Sequence, residues 1–192
     1  MTRPREFVFG YGSLTARDGP AASASPSREV HPHGFVADLV GVRRIWGVAM
    51  DNRRDLPGYK YYRDAAGGRP GVYVAFLDLR AADGAAVNGV CLPVDEPGLA
   101  ELDLRERNYE RVDVSDRVAP QGTRIWAYVG SAAGRERLRI GRARGTAVID
   151  ANYLRSVSDG FAALGEAEHS ACRASLDPDG LPVVELTRHE LA

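Results

Sequence analysis

The sequence is nearly without lysine: Lys60 is the only one, and the rest of its 25 basic residues are arginines. Cysteine is as scarce, with only Cys91 and Cys172, which excludes a disulfide framework and a cysteine-built zinc site. Net charge is lacking too. The 25 basic residues face 26 acidic ones and leave −1, so no global field would hold a nucleic acid or an anionic membrane. Long apolar runs are missing at the amino terminus, where Phe7-Val8-Phe9 stops at Gly10. A secretory segment needs about 7–15 apolar residues and a membrane span about 20. These absences predict a cytoplasmic protein that engages neither nucleic acid nor membrane. What is present, 192 residues with 44% hydrophobic and 27% charged, suits a folded chain with one core. The expectation is a single domain over 1–192.

Short runs rich in Val, Ile and aromatics, bounded by Gly, Asp or Pro, predict strands at 7–9, 36–42, 45–50, 72–79, 87–94, 111–118 and 125–129. Residues 17–34, rich in Gly, Pro, Ala and Ser, read as a surface loop. Asp95-Glu96-Pro97 opens a helix that should run to about residue 108. A second helix over about 150–165 puts Tyr153, Leu154, Val157, Phe161 and Leu164 on one stripe. The arginine-rich stretch 135–144 reads as a solvated loop. Strands outnumber helices and are mostly consecutive, which predicts an α+β fold with a mainly antiparallel, barrel-like sheet.

Two stretches carry chemistry. In Gly10-Tyr11-Gly12-Ser13-Leu14, directly after a strand, glycines allow φ > 0 and close approach, so loop amides can converge on an anion. A plain tight turn is the alternative. A dinucleotide fingerprint fails because Thr15 replaces the third glycine and no amphipathic helix follows. The Gly-x-Ser-x-Gly frame that would make Ser13 a nucleophile is absent as well.

The other stretch is 99–111. Leu99, Leu102 and Glu106 share one helical face, so the Glu106 carboxylate sits beside core leucines. There, burial and the negative end of the helix dipole both oppose its charge. That environment suits a general acid/base; pairing with an arginine is the alternative. Glu101, Arg105 and Arg107 should point elsewhere, into solvent. His31, His33, His169 and His189 lie in loops or near the carboxyl terminus. His169 and Cys172 share a helical face, but two further ligands are lacking nearby, so no metal site is expected.

Together these motifs resemble the γ-glutamylcyclotransferase-like family, which includes the ChaC-type and AIG2-like proteins. The matching residues are Phe9-Gly10-Tyr11-Gly12-Ser13-Leu14, then Asn88-Gly89-Val90, Leu102-Asp103-x-x-Glu106 and Tyr109-x-Arg111, with Tyr153-Leu154 opening the closing helix. The resemblance covers about 7–165 and leaves the tail 166–192 unassigned. It implies a small mixed, mainly antiparallel barrel-like sheet with flanking helices. It further implies that the Gly10, Tyr11, Gly12, Ser13 and Leu14 loop, with Tyr109, binds a γ-glutamyl group, and that Glu106 is the catalytic acid/base. The implied reaction releases 5-oxoproline and an amine without metal or cofactor, in a monomer or homodimer. Arg107 stands where many relatives have glycine, which leaves the leaving amine open. Two other readings remain: an enzyme of this fold that removes a γ-glutamyl group from a biosynthetic intermediate, and a non-catalytic small-molecule binder.

Overall fold

The computed structural model describes residues 6–15, 34–119 and 122–191. The loop expected at 17–34 lies outside them except for Gly34, as do His31 and His33. The strands are β1 (Glu6–Gly10), β2 (Phe35–Asp51), β3 (Lys60–Arg63), β4 (Tyr73–Val94), β5 (Tyr109–Asp113), β6 (Arg124–Gly130), β7 (Ala147–Asp150), β8 (Val183–Val184) and β9 (Thr187–Glu190). Among them come α1 (Glu96–Arg105), α2 (Ala132–Ala143), α3 (Ala151–Ala162) and α4 (Glu166–Arg173).

Sheet and helices give the expected α+β class. Along the main sheet the order is β5-β6-β1-β4-β7-β8, with β2 paired to β4, while β3 and β9 form a separate pair. The sheet is mixed: β1 is antiparallel to β4 and parallel to β6, and β4 is parallel to β7. An isolated bridge from Leu39 to Val118 curls β2 back towards the segment after β5 without closing a ring.

Two pairs of predicted strands are in fact two long, bent ones. β2 and β4 pair along their length, with register shifts between Val40 and Val42 and between Trp46 and Val48. Gly41 and Gly84 take positive φ at the exposed bend. Turn residues there mimic a chain break although the ladder continues through a bulge. The strand expected over 111–118 begins at Tyr109 and ends at Asp113, whose carboxylate accepts the Ser115 N–H at 3.0 Å and starts a 3-10 turn.

The arginine-rich stretch is not a loop but most of α2. Ser131 caps it by accepting from the Gly134 N–H at 3.1 Å. Its buried face is Gly134, Leu138 and Gly141. A Cβ on Gly134 would stand 2.6 Å from the Asn108 carbonyl, and one on Gly141 2.8 Å from the Tyr73 Cβ. The two glycines let the helix lie close on the sheet around Leu138, while Arg139 stands exposed and Arg137 reaches back to the Ala49 carbonyl at 2.7 Å. In α3 the expected stripe holds: Val157 and Phe161 are fully buried, and Tyr153, Leu154 and Leu164 pack against the same core.

One buried carboxylate pins the sheet to α2. Asp78, 1% exposed, accepts from the Gly130 N–H at 2.6 Å, the Leu79 N–H at 2.7 Å and Arg135 Nε at 2.9 Å. Glycines at 47 and 130 leave it room, since a Cβ on either would lie 2.4 Å from Asp78. Asp78→Ala strands two backbone donors in the interior. It should lower the unfolding free energy by about 2–4 kcal/mol, measured in denaturant titrations. A loss below about 1 kcal/mol would exclude this role.

Candidate active site

β1 is buried between β4 and β6 and delivers the glycine loop to the sheet's edge. The loop tightens into a 3-10 turn over Ser13–Thr15, where the Thr15 N–H and hydroxyl both donate to the Gly12 carbonyl, at 3.0 and 2.7 Å. Among the described residues the N–H groups of Gly12, Ser13 and Leu14 have no acceptor. Such a cluster of free amides suits a carboxylate or a developing oxyanion.

Neither Gly10 nor Gly12 takes a positive φ, so the expectation of left-handed backbone is corrected. Close packing is the reason for glycine here. A Cβ on Gly10 would lie 2.9 Å from the Leu14 Cβ, and one on Gly12 3.2 Å from the Tyr153 hydroxyl. Across the ladder, a Cβ on Gly89 would fall 2.5 Å from the Gly10 carbonyl, which accounts for glycine after Asn88.

The loop is held from beneath by Arg44, which is 5% exposed. Its Nε donates to the Tyr11 carbonyl at 2.8 Å, Nη2 to the Asn88 carbonyl at 2.6 Å and Nη1 to Ser175 Oγ at 2.6 Å. Its guanidinium lies 4.8 Å from the centre of the Phe161 ring.

Glu106 is delivered by α1, which starts as expected: Asp95 accepts the Gly98 N–H at 2.9 Å. The helix ends earlier than predicted, at Arg105, and Glu106 is its cap, with φ −86° and ψ 47°. The Glu106 N–H donates to the Leu102 carbonyl at 2.8 Å, and its own carbonyl accepts from the Tyr109 N–H at 2.9 Å. This turn faces the carboxylate inward, with the side chain 17% exposed. Leu99 is buried and Leu102 packs beside it against Val8 and Tyr128. Glu101 and Arg107 are exposed as expected. Arg105 is not: it is partly buried, and its Nε lies 3.8 Å from Glu106 Oε1.

Tyr11, Gly12, Ser13, Leu14, Glu106 and Tyr109 meet around an open cavity of about 40 Å³. Gly10 stands behind the loop, not in the lining. Three further residues complete the wall: Leu77, Tyr128 and Tyr153. Two of the phenols are oriented by the backbone, Tyr11 donating to the Tyr128 carbonyl at 2.6 Å and Tyr109 to the Leu77 carbonyl at 2.7 Å. Tyr128 donates to Asp103 Oδ1 at 2.7 Å. Burial pushes the pKa of all four tyrosines up, and the charge of Glu106 adds to it. They therefore stay protonated at neutral pH and offer hydroxyls, not charges. A wider groove of about 1050 Å³ runs along β2 and α2, but two of its acids are already engaged, Asp78 by Arg135 and Asp179 by Arg142.

Arg44, Leu77 and Tyr128 were not singled out by sequence, and Tyr153 only as a helix opener. No local pattern marks them, because their roles depend on strand pairing. Cys91 and Cys172 are free, fully buried and outside the cavity. No helix among the described residues is long and apolar enough to cross a membrane.

The sequence profile of the family described as "Gamma-glutamyl cyclotransferase, AIG2-like" matches residues 8–145. No curated protein matches the sequence. Among solved structures, the human protein loc79017 is similar at 15% identity and TM-score 0.57, with 95% of each chain covered. A structure titled "Gamma-glutamyl cyclotransferase" is similar at 15% identity and TM-score 0.54, over 93% of this chain and 92% of that one. YkqA from Bacillus subtilis is similar at 13% identity and TM-score 0.56 over 94% of this chain, which spans only 56% of YkqA. At these identities the likeness is one of fold.

Gly12→Val should fill the space before the Tyr153 hydroxyl and cut ligand binding and turnover at least tenfold, whereas Ser13→Ala should change them less than threefold. Kinetics of both variants check the order of effects. A trapped covalent adduct on Ser13 would replace this account with a nucleophilic one.

Proposed function

Because the chain belongs to the AIG2-like γ-glutamyl cyclotransferase family, we propose that it converts a γ-glutamyl amide into 5-oxoproline and a free amine. One observation carries the reading: the Glu106 carboxylate shares a small cavity with a loop whose amides at Gly12, Ser13 and Leu14 lack acceptors among the described residues.

The nucleophile in this reaction belongs to the substrate. Its α-amine attacks its own γ-carbonyl, closing a five-membered ring, and tethering gives that step its rate. The protein has three tasks left. The free amides of Gly12, Ser13 and Leu14 bind the anionic end of the γ-glutamyl group and hold the chain folded. Tyr109 and Tyr153 wall the folded chain and exclude water. Glu106 accepts the proton lost by the attacking amine as the new C–N bond forms, then passes it to the leaving nitrogen as the old C–N bond breaks. A single carboxylate serves both transfers because the two nitrogens flank one carbon. Neither a nucleophilic side chain nor an external reactant enters the balance.

Glu106→Gln keeps the shape and removes the proton carrier. It should fold normally and lose about 10²–10⁴ in turnover, read from a 5-oxoproline release assay. Near wild-type turnover would eliminate Glu106 from the chemistry.

The attacking amine must be neutral, and an α-amino group beside a free carboxylate is an ammonium at neutral pH, so turnover should climb from acid towards alkaline pH. Acetylating the substrate's α-nitrogen should abolish cleavage. Chromatographic identification of the product decides the class: free glutamate from the unmodified compound, or any cleavage of the acetylated one, would mean a hydrolase.

A further inference from the structure

A second cavity, of about 270 Å³, lies beside the end of α1, where Arg105 lines it and Glu106, the next residue, lines the first. Tyr59 and Lys60 line it from the start of β3, Glu101 and Arg105 from α1, and Arg188 and Glu190 from β9. β9 belongs to the carboxyl-terminal tail beyond the family match and pairs with β3, Lys60 opposite Glu190. Two contacts link this cavity to the first. Arg105 lines the second and reaches within 3.8 Å of Glu106, which lines the first. Phe76 packs edge-on against Tyr153 at 5.1 Å and lies 4.4 Å from Lys60 Nζ.

The charges of the second cavity are unequally matched. Arg188 is paired with Glu190, and Arg105 leans on Glu106. Lys60, the chain's only lysine, has no carboxylate within ion-pair distance among the described residues. Its ammonium rests against two rings, Phe76 at 4.4 Å and Tyr59 at 5.5 Å. A partly buried cation held by aromatic faces alone is incompletely compensated for the water it has lost. An anion entering the cavity would complete it.

Resting on the cyclotransferase reading, we propose that this cavity receives the leaving amine and that Lys60 selects leaving groups bearing a carboxylate. The first cavity holds the γ-glutamyl group. The scissile nitrogen lies at Glu106, and the chain beyond it passes Arg105 towards Lys60.

Lys60 also gives the selection a pH signature. Burial, with the nearby charges of Arg188 and Arg105, pulls its pKa down to about 8, against the opposing pull of Glu106 and Glu190. Below that pH the ammonium is charged and attracts the substrate carboxylate; above it the attraction is lost.

The test compares two matched pairs: γ-glutamylalanine with γ-glutamylethylamine, and γ-glutamyl-4-aminobutyrate with γ-glutamylpropylamine. At pH 7 the acid-bearing member of at least one pair should have a kcat/KM about ten- to a hundredfold higher, the range expected for a charge-assisted contact. That ratio should fall as the pH passes about 8. Lys60→Met should bring it towards one, and Lys60→Arg should restore part of it. If Lys60→Met does not fold, the wild-type ratio and its pH dependence still decide. Equal kcat/KM within both pairs, or an unchanged ratio in folded Lys60→Met, overturns the subsite and leaves the cyclotransferase reading standing. No 5-oxoproline from any of the four compounds overturns both.

Discussion

Everything around the glycine loop depends on one buried cation. Arg44 leaves water to enter the core, which costs several kcal/mol for an uncompensated charge, and among the described residues no carboxylate pairs with it. Carbonyls, a hydroxyl and an aromatic face do so instead: Tyr11, Asn88, Ser175 and Phe161. The planar fork suits that task, because its donors diverge at fixed angles and each finds a different segment. β1's outgoing loop, the second half of β4, α3 and the turn after α4 thus share one anchor. The loop's backbone is thereby tied at Tyr11 to the interior of the molecule.

Asn88 extends that anchor. Its side-chain amide donates to the Glu168 carbonyl and carboxylate, at 2.9 and 2.7 Å, while its own oxygens accept from Arg44. Gly89, next in the chain, gives the Gly10 carbonyl room to approach. Two adjacent residues therefore do different jobs, one polar and one steric, for the same loop. Glu106 reaches the cavity by an independent route, through the early end of α1, so the two halves of the site are positioned by separate constraints.

How much of this was legible in the sequence follows from how local each signal is. The strands with buried apolar faces were readable, since Phe7–Phe9 and the runs in β2, β4 and β6 carry their environment in their composition. The start of α1 was readable because Asp95 and Pro97 act within one turn. α2 was hidden: its buried face is Gly134, Leu138 and Gly141, and a pattern reader looks for a stripe of large apolar residues where two of the three contacts are glycines. α4 was hidden for a related reason, with Cys172 its single buried residue. In the site, the glycine loop and Glu106 were visible as contiguous motifs. Arg44, Leu77 and Tyr128 were not, because an alternating strand says which face a residue takes but not what the register places opposite it. The early stop of α1 also escaped sequence, and it decides which way Glu106 points.

The pairing of β1 bears on how the chain comes into being. Glu6 lies opposite Val94 on one side and Arg124 on the other, so β1 is synthesised well before either of its neighbours. Until β4 and β6 have been made, Phe7, Val8 and Phe9 have no sheet to enter, and both edges of an apolar strand stand open to other chains. Pairings of such long sequence separation are slow to close. The glycine loop follows directly from that strand, so its setting against β4 and against Tyr128 of β6 exists only after synthesis has passed β6 and the central ladder has locked. The cavity is a late property of the growing polypeptide, and a nascent chain halted before Arg124 would present a sticky strand without a pocket.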